Sequence, residues 1–257
     1  MVSTYETFRA LHNTDTLFVL PNAWDAESAA ILQQCNYPAI GTSSKAVAAT
    51  LGYPDGEAMP FPEYLMLIQR IAACVSIPIT IDMEMGYGQT KEAIYANLQK
   101  LLDSGVAGIN IEDSVILDGK RLLKDPQEFA GTLTFIKNTL EASRHSLFVN
   151  VRCDTYLLNV KDKETQTDER ARLYESAGAD GIFLPLMSHE NDISRVIAHT
   201  RLPLNLMAIP GLPALTRLEQ LGVRRVSMGP FFQKKTYSKA KEIAKKVLEQ
   251  KSLKPIL

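Results

Sequence analysis

Two acids one residue apart, Asp82 and Glu84, close an apolar run and are followed at once by two glycines in the stretch IDMEMGYG, residues 81–88. Alternate side chains on a strand share a face, so Asp82 and Glu84 point one way and Ile81 and Met83 the other. The same parity sets Asn110 beside Glu112 in GINIED, and Asn150, Arg152 and Asp154 together in LFVNVRCD. With Asp55 from the following loop LGYPDGE, four carboxylates gather beside a single arginine. Like charges in a partly desolvated cleft repel unless a cation or protons compensate them. A set of oxygen donors with no nearby histidine or thiolate suits Mg²⁺ or Mn²⁺ better than Zn²⁺. The candidate metal set is therefore Asp82, Glu84, Glu112 and Asp55, with Gly86 and Gly88 expected to turn the chain away and leave room for a hydrated cation and a substrate. Each acid also has a plainer reading: YPDG is an ordinary turn sequence for Asp55, and Asp113 or Asp154 suits a helix cap or an ion pair.

An inward guanidinium at Arg152 either neutralises these acids or holds the carboxylate of an anionic substrate bidentately. The turn IGTSSK offers the hydroxyls of Thr42, Ser43 and Ser44 and their backbone N–H groups as a cradle for a carboxylate or an oxyanion. Lys45 has no evident means of lowering its pKa, so a Schiff-base role is not favoured. His12, His145, His189 and His199 fall away from the expected strand ends and read as surface residues. Trp24 reads as core or mouth packing, with Asp25 as a helix N-cap.

These residues need a scaffold that delivers several strand ends to one place. Eight short apolar runs alternate with helical spacing: 16–23, 39–44, 78–84, 108–113, 147–154, 181–186, 202–209 and 225–230. Such alternation argues for parallel βα units. Between them, TKEAIYANLQKLLDSG starts at a Thr90 cap and stops at Gly105, and PALTRLEQLG stops at Gly222. Three helices end in similar punctuation: DSGVAGINIE, ESAGADGIFL and EQLGVRRVSM. Eight units in 257 residues predict a single-domain (β/α)₈ TIM barrel over the whole chain, with chemistry at the C-terminal ends of the strands.

Twenty-eight basic and 29 acidic residues are mixed along the chain, which argues against a nucleic-acid or membrane partner and for a small molecule. Cys35, Cys74 and Cys153 lack metal or disulfide spacing, and no leader or membrane-length apolar run is seen. A cytoplasmic protein is expected.

The motifs PNAWDAESA, GTSSKAVAATLGYPDGE, IDMEMGYG, INIEDS, VNVRCDTYL and GADGIFLPL, in that order, resemble the isocitrate lyase/phosphoenolpyruvate mutase superfamily over nearly the whole chain. The resemblance implies a Mg²⁺-dependent barrel acting on α-keto acids. Asp82 would be the direct metal ligand, with Asp55, Glu84 and Glu112 completing the shell mostly through water. Thr42, Ser43, Ser44, Lys45 and Arg152 would bind the substrate carboxylate and keto oxygen. Asp55, Arg152 and Ser43 are the candidate catalytic groups, and the chemistry would pass through an enolate.

Two departures narrow this expectation. Glu84 stands where the family's DxDxGYG signature has aspartate. The family's C–C lyases carry a Lys-Lys-Cys-Gly-His loop after the fourth strand, whereas SVILDGKRLLKDPQEF here has neither cysteine nor histidine. Its Lys120, Arg121 and Lys124 fit either a lid over an anionic substrate or solvated charges. The mutases place a histidine after the sixth strand, where this chain has Pro185. The expected function is a keto-acid lyase or decarboxylase, with phosphonate chemistry or a keto-acid-binding role as alternatives. A homo-oligomer, dimer or tetramer, is expected, and the terminal helix SKAKEIAKKVLEQ is a candidate for exchange between subunits.

Overall fold

The structure is a computed structural model that describes residues 3–257. The strands are β1 (Phe18–Leu20), β2 (Asn22–Ala23), β3 (Ile40–Thr42), β4 (Ile79–Asp82), β5 (Gly108–Glu112), β6 (Ser114–Leu117), β7 (Lys120–Leu123), β8 (Phe148–Arg152), β9 (Gly181–Phe183), β10 (Leu204–Met207) and β11 (Arg225–Ser227). The helices are α1 (Thr4–His12), α2 (Ala26–Gln34), α3 (Ser44–Thr50), α4 (Phe61–Ala73), α5 (Lys91–Leu102), α6 (Pro126–Ala142), α7 (Lys163–Ser176), α8 (Glu190–His199), α9 (Leu215–Leu221) and α10 (Phe231–Gln250), followed by a short 3₁₀ turn, Lys254–Ile256.

All eight expected strand regions form strands, and they lie parallel in one sheet that nearly closes into a TIM barrel. Closure depends on Pro21. The first expected strand, 16–23, breaks there into β1, which pairs with the last strand β11, and β2, which pairs with β3. Proline has no N–H to give to a ladder, and a break at that point lets one run of chain serve both edges. The carbonyl of Pro21 still accepts from Gly41 N–H at 2.8 Å.

The alternation read from the sequence holds within the strands. Ile81, Ile109, Ile111, Val149 and Val151 are buried in the shell between sheet and helices, while Asp82, Asn110 and Arg152 border a cavity at the strand ends. In register, Asp82 pairs with Asn110 and Glu112 with Arg152. Asp25 caps α2 and Thr90 caps α5 as expected. The three glycine stops, Gly105, Gly178 and Gly222, all take positive φ, a region a Cβ disfavours.

Two elements differ from expectation. Residues 114–123 form an antiparallel hairpin, β6–β7, rather than a loop. Asp118 and Gly119 both have positive φ, the geometry a two-residue hairpin turn needs. At the opposite, N-terminal end of the barrel, α1 closes the floor and His12 is buried, not at the surface. Its ring stacks on Phe148 at 4.1 Å between centroids, in a cluster with Phe8 and Phe18. Nδ1 lies 2.9 Å from the Phe8 carbonyl, so it carries the proton, and Nε2 accepts from Arg225 Nη1 at 3.3 Å. Burial, then the Arg225 charge, pushes the imidazole down to about 3.

Candidate active site

Asp82 is the last residue of β4, and its side chain is held by the start of α3, just after β3. Ser44, the first residue of α3, donates its hydroxyl to Oδ2 at 2.8 Å and its backbone N–H to the same oxygen at 3.2 Å. The Thr42 hydroxyl accepts from Asp82 N–H at 3.1 Å, and the Tyr64 hydroxyl donates to the Asp82 carbonyl at 2.6 Å. Backbone and carboxylate are thus both pinned. Burial pushes the Asp82 carboxyl up, while the Arg152 charge and the two Ser44 bonds pull it down.

A cavity of about 250 Å³ opens above Asp82, and Thr42, Ser43, Ser44, Lys45, Asp55 and Arg152 all border it. Seven of the nine residues singled out in the sequence therefore share one space. Ser43 caps α3 through Ala46 N–H at 3.4 Å. Lys45 and Asp55 pair at 3.2 Å near the rim, with side chains 49% and 41% exposed, so this pair adds little stability.

Glu84 and Glu112 do not border the cavity. The strand ends at Asp82, and Glu84 follows in a left-handed conformation, φ 48°, so strand alternation no longer sets its direction. It is buried, and its Oε2 has no hydrogen-bond partner. Burial first, then the charges of Asp82, Asp55 and Glu57, raise its carboxyl to about 8, against the pull of Arg121. Glu112 lies behind the cavity wall with one oxygen against Arg121 and the other 2.7 Å from Arg152 Nη1. Asp154 completes the group: it accepts from Arg152 Nε at 2.6 Å and Nη2 at 3.1 Å, and lies 3.5 Å from Arg121 Nη1. Asp113 belongs to a separate buried set with Arg170 and Tyr174, the ion-pair role left open in the sequence.

The glycines have a task other than making room for a cation. A Cβ on Gly88 would lie 2.8 Å from the backbone nitrogen of Ile94, and one on Gly86 would lie 2.8 Å from the Ile94 side chain. They let the loop pack against the first turn of α5. Among the described residues no three acid, histidine or cysteine side chains approach closely enough to chelate an ion by themselves. The donor set still fits a hard divalent cation: an all-oxygen group around Asp82, mutually repelling carboxylates and an orphaned Glu84 oxygen suit an ion held by Asp82 and by water.

The sequence reading does not single out Asn22 or Lys234, and it leaves Arg121 between a lid and a solvated charge. Asn22 ties β2 to β3 and to the turn after β11, donating to the Thr42 carbonyl at 2.7 Å and accepting from Gly229 N–H at 2.8 Å. Arg121, from the hairpin, and Lys234, from α10, both border the cavity. Arg121 is no solvated charge, since its side chain is 18% exposed. No cysteine or histidine borders the cavity. A larger cleft of about 1020 Å³, between the hairpin and the starts of α5 and α6, shares no residue with it.

The fold has known counterparts. An uncharacterized protein of Mycobacterium tuberculosis is 36% identical over 223 residues, 87% of this chain and 81% of that protein. Oxaloacetate decarboxylase 1 of Pseudomonas fluorescens is 28% identical over 224 residues, 84% of this chain and 75% of the enzyme. The crystal structure of a candidate phosphonomutase from Burkholderia cenocepacia superposes with a TM-score of 0.87 at 32% identity, covering 93% of this chain and 97% of that one. The family model for phosphoenolpyruvate phosphomutase matches residues 8–248, and the chain belongs to that family, within the phosphoenolpyruvate mutase/isocitrate lyase superfamily.

Proposed function

We propose that this chain is a divalent-metal-dependent C–C lyase or decarboxylase of small α-keto acids, oxaloacetate or a substituted relative. The observation that carries the reading is the Asp82 carboxylate, pinned by Ser44 at the base of a small cavity that also presents Arg152 and the Ser43–Ser44 turn. Asp82 would hold Mg²⁺ or Mn²⁺ directly, with Asp55 and Glu84 acting through water, while Glu112, placed in that shell by the family resemblance, is taken up by Arg121 and Arg152; the ion would supply positive charge as an enolate forms. Arg152 and Lys45 hold the substrate carboxylate, and Ser43 with its neighbouring turn aligns the keto group. In decarboxylation the bond to the distal carboxylate breaks, CO₂ leaves, and its electron pair passes into the enolate of the remaining keto acid. A proton from solvent completes turnover, which suits a cavity with no bordering cysteine or histidine. Cleavage of isocitrate or 2-methylisocitrate, which in the lyases uses the loop thiol, is not expected to be efficient.

A second reading, phosphonate chemistry, draws support from the likeness to the candidate phosphonomutase. Pro185, at the cavity wall where the mutases place histidine, weighs against it. The test incubates the protein with Mg²⁺ and oxaloacetate, substituted malates, isocitrates or phosphonopyruvate, following pyruvate and glyoxylate release. Chelator-sensitive pyruvate release from oxaloacetate or a substituted malate, abolished in Asp82→Ala, is expected. Full activity in Asp82→Ala would overturn the metal assignment, and oxalate binding with no turnover would favour a keto-acid-binding protein.

A further inference from the structure

We infer that Arg121, carried into the cavity by the β6–β7 hairpin, is a second substrate-binding guanidinium that selects ligands with a second, distal carboxylate. The inference rests on the keto-acid reading above and names the residue that would hold the substrate's distal carboxylate, which that reading does not assign.

The two arginines at the cavity differ in how far the protein already occupies them. Arg152 has all three nitrogens against protein carboxylates: Nε and Nη2 on Asp154 at 2.6 and 3.1 Å, and Nη1 at 2.7 Å from Glu112. Arg121 is anchored through Nη1 alone, to Glu112, to the Ser114 hydroxyl at 2.8 Å and near Asp154. Among the described residues its Nε and Nη2 make no hydrogen bond. A guanidinium carries five N–H donors in a rigid fork, so anchoring one nitrogen fixes the plane and leaves the others aimed. These donors are not among the buried atoms left without a partner, so they open to the cavity, where water or a ligand can take them.

The hairpin holds this arrangement firmly. Arg121 lies directly across from Ile116 in the ladder, and Ile116 packs so closely on Gly56 that a Cβ there would clash with Ile116 Cδ1. The loop that carries Asp55 and the hairpin that carries Arg121 are therefore packed on each other. Lys234 adds another positive charge at the rim and has no ion-pair partner among the described residues. A keto-acid head needs the Ser43–Ser44 turn, the cation at Asp82 and one arginine. Arg121 and Lys234 are surplus to a monocarboxylate and complementary to a dicarboxylate, and a cavity of about 250 Å³ limits that ligand to a small acid.

The test compares malate with lactate, stable 2-hydroxy acids that share a head group and differ by the distal carboxylate. Dissociation constants are measured calorimetrically with Mg²⁺ at fixed ionic strength for the full chain, Arg121→Gln and Arg121→Lys. Wild type should bind malate more tightly than lactate. Arg121→Gln should weaken malate roughly ten- to a hundredfold and lactate less than about twofold, the loss of one charge-assisted contact, with Arg121→Lys restoring part of the preference. Equal weakening of both ligands would make Arg121 a support for Arg152 only, and unchanged malate binding would remove it from the site. Either result leaves the keto-acid reading standing if Asp82→Ala still abolishes binding. Failure of wild type to bind either acid would overturn both proposals.

Discussion

Glu112 has no exposed surface and sits against two guanidiniums, Arg121 and Arg152. Strand parity alone selects it as a metal ligand; its neighbours make it the acid that holds two arginines side by side. Removing one member of a buried ion group leaves charge uncompensated, so Glu112→Ala should lower unfolding free energy by about 3–5 kcal/mol in a denaturant titration. Wild-type stability in that variant would show that water already screens the pair. The glycines of the same region allow a second comparison. Gly88→Ala drives a Cβ into the backbone of α5, where nothing flexible can give way, and should cost about 2–4 kcal/mol. Gly131, within α6, has open space around its missing Cβ, so Gly131→Ala should instead stabilise by about 0.5–1 kcal/mol. Equal effects at the two positions would refute the packing explanation for Gly88.

At the scale of elements, α1 makes the floor of the barrel depend on pH. His12 is held neutral in the folded chain, down to about 3, by burial and by Arg225, whereas an unfolded histidine titrates near 6.5. Between these values the unfolded chain binds the extra proton, so stability rises with pH across that window and levels off above about 6.5. Unfolding measured from pH 4 to 8 should show this slope, and His12→Gln, which keeps an acceptor for Arg225, should flatten it. A slope unchanged in that variant would assign the acid sensitivity to other groups. The strands and their inward faces were legible in the sequence because alternation within a strand is local. Asp82, Asn110 and Arg152 were found that way, and the rule stopped serving at Glu84, where the chain leaves the strand with φ 48°. The hairpin was not read, although LDGK contains the Asp-Gly pair that favours its turn. Because its reach depends on that turn, the sequence alone leaves Arg121 between lid and solvent. His12 was missed for a similar reason: Phe8 and His12 are four apart on one helix face, but nothing local says that this face meets a barrel floor.

At the scale of the whole molecule, α10 is the element least explained by its own chain. It runs for 20 residues, and only Gln233, which donates to the Ala46 carbonyl at 2.7 Å, is buried on it. Phe232 and Tyr237 meet Trp24 near its start, with ring centroids 5.6 and 6.1 Å away. Beyond that, Leu248 is 79% exposed, and Leu253 and Ile256 after the helix are exposed as well. Isolated helices owe little of their stability to propensity alone, and an apolar stripe facing water adds nothing to it. A second copy of the chain would cover these residues at the lowest cost, because every molecule carries the same uncovered surface and a reciprocal contact would bury both. The protein should therefore run as a dimer or tetramer in light scattering at micromolar concentration. Replacing Leu248 and Leu253 by glutamate should shift it towards the monomer while leaving the barrel's thermal transition recognisable. Because Lys234 stands at the start of the same helix and borders the cavity, loss of the assembly should also weaken dicarboxylate binding. A monomeric wild-type protein with an ordered, protease-resistant α10 would overturn this account of the helix.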